Sequence, residues 1–309
     1  MKQGHQPKFQ LRFLHPRYWK TLLALLFSIL LAMLPSRVKA MFGDLLVSII
    51  VKSQPKRRRI ALTNISLCYP QLSEKARLEL LHENTRIFAH IFLSYGQLIA
   101  GTSSRFFKQF DVQGLEHVEK QIAKNKNIII MTSHSLAMEY VGQYIARDHK
   151  FAALVRLHQD NELMDWVVTR YRSRNKAEMF SNDTNLLSIV RTVRSGSWLY
   201  FLPDEDRGEE HFVFVPFFGV QKLTTPSLSR FAELCNAVVI PMMGSYSPTT
   251  RRFSIKYFPA IENYPIGDVQ KDAAKMNQAI EEIVNQDPTQ YMWTNKIFRT
   301  RPEGEEKLY

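Results

Sequence analysis

Apolar runs short enough to be strands recur through the chain, with helix-like segments between them. NIIIM at 127–131, FAALVR at 151–156, WLYFL at 198–202 and AVVIP at 237–241 each read as a buried strand. Between and after them, 135–144, 164–171, 226–235 and 272–284 carry the apolar spacing of helices, and Thr225 and Pro226 suit the start of the third. Weaker strand candidates lie at 177–180, at 211–218 and at 253–258, the last alternating like an exposed or edge strand. A long amphipathic helix is expected over 72–94. This order of elements specifies an α/β fold with a mixed, largely parallel central sheet flanked by helices. Sheets of that kind bind ligands beyond the carboxyl ends of their strands.

The first sixty residues differ in composition. The run TLLALLFSILLAML at 21–34 has no charge, with Tyr18 and Trp19 before it and basic residues on both sides (Lys8, Arg12, Arg17; Arg37, Lys39). A second apolar run, 41–51, follows Pro35 and leads into the basic block Lys56-Arg57-Arg58-Arg59. Fourteen residues fall short of the about 20 needed to cross a bilayer, and the aromatic pair extends them. A cleaved secretory signal, a buried helix pair and a membrane anchor all fit this pattern. The expected division is an N-terminal anchoring and interfacial segment, 1–51, and a catalytic domain, 52–309.

Forty-one Lys and Arg against 29 Asp and Glu give a formal charge of +12, which draws anionic lipid surfaces or acidic proteins to the chain. The 45% hydrophobic fraction is too low for a polytopic membrane protein, and two cysteines, Cys68 and Cys235, make neither a metal site nor a disulfide framework.

His134 sits where the first strong strand runs out, in SHSLAME at 133–139. An imidazole takes a proton at physiological pH, and a carboxylate can fix its tautomer. Glu139 is the candidate partner. Positions five apart differ by about 140° around a helix, so the pair requires His134 to lie in the loop before the helix. The sequence has no G-x-S-x-G elbow and no H-E-x-x-H pattern, which favours a base acting on a substrate hydroxyl over a covalent serine. A second cluster, LPDEDRG at 202–208, follows another strong strand. Arg207, with Asp204 and Asp206 to organise it, is a candidate phosphate ligand, and Arg156, Arg174 and Lys222 are further cations expected near the same crevice.

Together these stretches resemble the late acyltransferases of lipid A biosynthesis, within the glycerolipid (lysophospholipid) acyltransferase superfamily, and in particular their myristoyl/lauroyl branch. HSLAME matches the superfamily's H-x4-D/E motif; FLPDEDRG (201–208), FVPFFG (214–219), KLTT (222–225), VIP (239–241), PTQYMWTNKIFRTRP (288–302) and HPRYW (15–19) follow in order across nearly the whole chain. The sequence departs from the usual D-Q-D-H-G at Glu205 and Arg207, and has Asn295 where a histidine often precedes the lysine. The resemblance implies a glycerolipid acyltransferase-like fold with an N-terminal membrane-anchoring helix. It implies transfer of a laurate or myristate chain from acyl carrier protein to a hydroxyl on an acyl chain of a lipid A precursor, a phosphorylated glucosamine disaccharide. His134 would be the base and Glu139 its orienting acid, with no metal, no cofactor and no nucleic acid. The location implied is the cytoplasmic face of the anionic inner membrane. Two other functions remain to be weighed: a non-enzymatic protein that binds anionic lipid at the membrane surface, and a phospholipid-synthesising acyltransferase, whose P-E-G-T motif is absent.

Overall fold

Two prolines divide the N-terminal region into three helices, because a proline can open a helix but cannot continue one. Helix α1 (Trp19–Met33) stops before Pro35, α2 (Ser36–Ser53) follows it, and α3 (Pro55–Cys68) has Pro55 in its first turn. The computed structural model describes residues 4–101, 104–155, 160–175, 177–181, 184–206, 208 and 212–309. Ser73 caps the long helix α4 (Glu74–Ser94), its hydroxyl accepting from the Ala76 N–H at 3.2 Å. Short helices α5 (Gly96–Ala100) and α6 (Ser104–Phe107) lead into the sheet. α1 and α2 lie against α4 and α5 at close range. A Cβ on Gly96 would stand 2.1 Å from the Ser28 carbonyl oxygen, and one on Gly43 2.7 Å from the His90 ring. Asp44 of α2 accepts from Arg86 (2.7 Å) and pairs with His90 (3.1 Å) of α4.

The remaining elements alternate: β1 (Phe110–Gln113), α7 (Leu115–Ile122), β2 (Asn127–Thr132), α8 (Met138–Asp148), β3 (Phe151–Val155), α9 (Glu162–Arg172), β4 (Ala177–Ser181), α10 (Leu186–Arg194) and β5 (Trp198–Phe201). After them come β6 (Val213–Phe217), β7 (Val220–Thr224), α11 (Ser227–Cys235), β8 (Ala237–Ser247), β9 (Arg252–Tyr257) and α12 (Val269–Gln286). Seven strands form one sheet in the order β1-β9-β8-β2-β5-β3-β4, in which β8-β9 is the one antiparallel pair. The sheet is covered on both faces. Ile129, Met131, Leu199 and Phe201 pack with α3, α10, α11 and α12; Ile128, Ile130 and Tyr200 pack with α7, α8 and α9. That two-sided burial is why these strands read as unbroken apolar runs.

The mixed α/β architecture with an N-terminal apolar helix agrees with the sequence expectation, and three elements differ from it. The 253–258 run is not at an edge: β9 lies between β8 and β1, and β1 had too few apolar residues to stand out. The described part of the 211–218 run does not enter the main sheet. Its strand, β6, pairs antiparallel with β7 in a separate ribbon packed on α12, where Asn277 donates to the Pro216 carbonyl and the Thr224 hydroxyl, both at 3.0 Å. The 237–241 strand runs on to Ser247. Cys68 and Cys235 are free and buried.

Candidate active site

Strand register brings the two sequence clusters together. β2 and β5 are parallel neighbours with Ile129 opposite Leu199 and Met131 opposite Phe201, a constant offset of seventy residues. Two residues beyond β2 and three beyond β5, the same offset pairs His134 with Asp204. Asp204 grips that histidine twice: Oδ1 lies 2.6 Å from Nδ1, and Oδ2 accepts from the His134 backbone N–H at 2.9 Å. His134 precedes α8, in the loop, as a role for the imidazole requires.

Burial pushes the Asp204 carboxyl up, but the charge and hydrogen bonds of His134 outweigh it and hold the group below the usual carboxylate range. An ionised carboxylate only accepts, so Nδ1 donates to Asp204, and in the neutral ring Nε2 is the basic nitrogen. Glu205 Oε1 stands 3.4 Å from Nε2, so an imidazolium formed there has a carboxylate beside each nitrogen.

The expected partnership of His134 with Glu139 takes a different form. Glu139 lies in the first turn of α8, on the side facing α9, and its carboxylate is taken up by Arg172, through both Nε (3.0 Å) and Nη2, and by the Tyr171 hydroxyl (3.1 Å). Burial raises the Glu139 carboxyl, yet Arg172 and Tyr171 together bring it below its usual value. The hydrogen bond on His134 Nδ1 thus belongs to Asp204, which the sequence reading had assigned to substrate. Nothing in the residues around 139 or 204 distinguishes the two arrangements; the β2-β5 adjacency does.

The other expected ligands separate. Asp206 accepts from the Thr300 backbone and hydroxyl and from the Gly208 N–H, tying the C-terminal segment to the loop after β5. Lys222 is fully buried, donating to the Leu223 carbonyl at 3.2 Å with its ammonium 5.7 Å from the Phe217 ring centroid. Burial lowers its pKa to about 8, the nearby charges of Asp204, Asp206 and Glu205 limiting the fall. Arg174 is committed to the carbonyls of Leu98 (2.6 Å) and Ile99. Lys222 is therefore an internal fixture, and the half-buried Arg174 is committed to backbone, so neither stands as an open phosphate ligand. Arg156 and Arg207 lie outside the described residues.

A C-terminal strap, which sequence reasoning missed, crosses the site. The Leu136 N–H donates to the Gln290 carbonyl (2.8 Å), the Met292 N–H donates to the His134 carbonyl (2.9 Å), and Ser135 bridges to Tyr291. Buried amides hold the strap from below. Asn84 donates to the carbonyls of Thr289 (2.6 Å) and Tyr291 (2.8 Å), Asn64 to those of Trp293 and Asn295 (both 2.7 Å), and Gln290 exchanges two bonds with the Tyr246 backbone. Beside His134 a cavity of about 300 Å³ runs between α8 and the sheet, along β3, β4 and β5. Glu139, Arg172, Glu205 and Asn295 lie among its polar lining, and Met138, Phe151, Val155, Met179 and Leu202 make much of the rest apolar. A proton acceptor at the mouth of an apolar cavity suits reaction at a polar group carried on a hydrocarbon chain. Among the described residues no cluster of side chains has the make-up of a metal site.

The bacterial lipid A biosynthesis acyltransferase family model matches residues 6–300. A lipid A biosynthesis acyltransferase of Haemophilus influenzae is 33% identical over 98% of this chain and 95% of its own length. The lipid A biosynthesis palmitoleoyltransferase of Escherichia coli is 32% identical over 98% and 99%, and the myristoyltransferase of the same organism 29% identical over 98% and 94%. These matches decide for an enzyme over a lipid-binding scaffold: the chain belongs to the bacterial lipid A biosynthesis acyltransferases.

Proposed function

We propose that this acyltransferase moves a fatty acyl chain, laurate or myristate, from an acyl carrier protein thioester to a hydroxyl on an acyl chain of a lipid A precursor, with His134 as general base. The supporting observation is the doubly held His134–Asp204 pair at the mouth of an apolar cavity. In this reading Nε2 takes the proton of the acceptor hydroxyl as its oxygen attacks the thioester carbonyl. The tetrahedral intermediate then collapses, breaking the C–S bond, and the carrier thiolate leaves with the proton from Nε2. Asp204 and Glu205 stabilise the imidazolium more than the neutral ring, which is the differential a catalyst needs. Glu139 acts through Arg172, fixing that guanidinium in the cavity wall. Relatives named for palmitoleoyl and for myristoyl transfer lie at similar identity, so the choice of laurate or myristate rests on motif resemblance.

The reading includes residues 1–51 as an anchor and 52–309 as the catalytic domain, on the cytoplasmic face of the inner membrane. The segment Pro16–Met33 is long and apolar enough to span. An interfacial position is the better supported one. α1 and α2 are docked on α5 and α4 through Gly96 and Gly43, and a spanning arrangement would draw the Asp44–Arg86–His90 cluster into hydrocarbon. Their outer faces expose Leu23, Phe27, Leu30, Phe42, Leu45 and Ile49, as an amphipathic surface lying in the headgroup layer does.

The test is mass spectrometry of a defined lipid A precursor incubated with purified protein and a panel of acyl carrier protein thioesters. The expected product carries one added chain, and His134→Ala lowers the rate by about 10²–10⁴-fold. A His134→Ala protein that melts normally and turns over like wild type removes His134 as the base. For the anchor, Phe27→Glu/Leu30→Glu should lose flotation with anionic vesicles; undiminished flotation counts against the interfacial face.

A further inference from the structure

A second cavity, about 220 Å³, opens on the other side of the C-terminal strap. Its walls are mostly apolar, from residues of α2 and α4 (Ile50, Leu81, Phe88), with Gln54 at the end of α2, Arg57 and Arg58 at the start of α3 and strap residue Thr294 as polar groups at its edge. Met292 and Asn295 line this cavity and the apolar one alike, and Leu136, two residues beyond His134, lines this one. The two cavities therefore abut beside the histidine. Both are largely apolar, and they differ in charge: the first has the carboxylates of Glu139 and Glu205 with Arg172 in its lining, whereas the charged groups lining the second are two guanidiniums with no carboxylate.

Lys56–Arg59 is a motif that neither the catalytic chemistry nor the packing explains. All four residues are exposed, and among the described residues none makes an ion pair. The first turn of α3 contains no acidic residue, so four cations sit at the helix end where the macrodipole disfavours them. A local cost of that kind, at the rim of a cavity, is expected where an anion is to be held. Of the cations first assigned to phosphate, Lys222 is buried and Arg174 is spent on carbonyls. The cavity also lies where α2 meets α3, at the inner end of the helices whose outer faces are apolar. A lipid headgroup drawn up from that surface reaches it directly.

We propose that this cavity holds the headgroup of the acceptor: a phosphorylated sugar on a membrane lipid, its phosphate on Arg57 and Arg58 and its hydroxyls toward Gln54 and Thr294. This rests on the proposed acyl-transfer function and adds a direction to it. The acceptor enters from the α2–α3 side, the donor chain fills the apolar cavity, and the reacting hydroxyl meets the thioester at His134 between Met292 and Asn295.

The experiment uses the full-length enzyme with a phosphorylated lipid A precursor and its dephosphorylated form, varying acceptor and acyl carrier protein thioester separately. Arg57→Gln/Arg58→Gln is expected to raise the acceptor KM about tenfold or more with kcat and the donor KM little changed, and to abolish the preference for the phosphorylated acceptor. Arg59→Gln removes the same charge outside the cavity lining and should leave acceptor KM within about twofold. A rise in donor KM in place of acceptor KM would make the patch a carrier-protein dock and overturn the proposal. An equal effect of Arg59→Gln, or none from the double variant, would overturn it as well. Retention on vesicles doped with the phosphorylated precursor, compared between wild type and double variant, separates the two hypotheses. Wild type without transfer activity sinks the proposed reaction, whereas retention unaffected by the double substitution sinks the headgroup site alone.

Discussion

Asp204→Asn isolates the feature on which the proposed chemistry depends. The native carboxylate accepts two hydrogen bonds from one residue, at Nδ1 and at the backbone N–H of His134. An asparagine has one oxygen and one NH2 group to offer in that space. If its oxygen keeps the backbone N–H, the NH2 faces Nδ1. Nδ1 must then accept, the ring proton moves to Nε2, and the base is blocked. If the amide is flipped, the NH2 meets a backbone donor and a buried bond worth about 1.5–3 kcal/mol is lost. Either way the negative charge that supports the imidazolium is gone. The expected loss in kcat is about 10³–10⁴-fold, roughly 4–5.5 kcal/mol in barrier. Stability should fall less, and in a pH-dependent way. Because the Asp204 carboxyl is held below its usual range, its contribution is present in full above about pH 4 and is lost as pH drops through the depressed value. Wild type and variant should therefore converge in stability in acid. Glu139→Gln is the companion measurement. It leaves the buried Arg172 without its countercharge, so it should cost about 3 kcal/mol of stability while lowering turnover per folded molecule less than Asp204→Asn does. The assay is single-turnover acyl transfer beside thermal unfolding on the same preparations. Asp204→Asn at wild-type rate and melting temperature, or a larger rate loss from Glu139→Gln, would refute the assignment of Asp204 as the orienting acid.

Three further outcomes are expected. Lys222 has a folded-state pKa of about 8 against an ordinary 10.5, so the wild type should gain up to about 3 kcal/mol relative to Lys222→Met as pH rises from 8 toward 10; parallel stability profiles from denaturant titrations would contradict this. Asn84→Ala leaves the Thr289 and Tyr291 carbonyls unmet beneath the strap and should cost about 2–4 kcal/mol with a lower kcat, and a normal melting curve would show that the strap does not depend on it. Gly96→Ala places a Cβ 2.1 Å from the Ser28 carbonyl oxygen, backbone against backbone, so α1 must shift at a cost of about 1–3 kcal/mol; unchanged melting and unchanged proteolysis of α1 would mean that α1 is not docked there.

The sequence by itself determined the local elements and the identity of the base candidate. Apolar runs such as 127–131 and 198–202 can only be buried strands in this context, Pro35 and Pro55 divide the N-terminal helices, and His134 necessarily follows a strand end. These are properties of neighbouring residues, and periodicity and turn chemistry report them. Partnership across the chain was not local. That Asp204 and not Glu139 holds His134 follows from β5 lying next to β2, an adjacency made although β3 and β4 intervene in the chain. Glu139 looked equally suitable until α9 brought Arg172 to it. Lys222 read as a phosphate-binding cation at the crevice until the β6-β7 ribbon folded onto α12 and removed it from solvent. Arg57 and Arg58 read as part of a membrane flank until α2, α4 and the strap formed a cavity with them at its rim. A charged side chain carries the same label whether it is solvated, paired or buried. Its function is set by what stands opposite, and strand order and helix packing decide that.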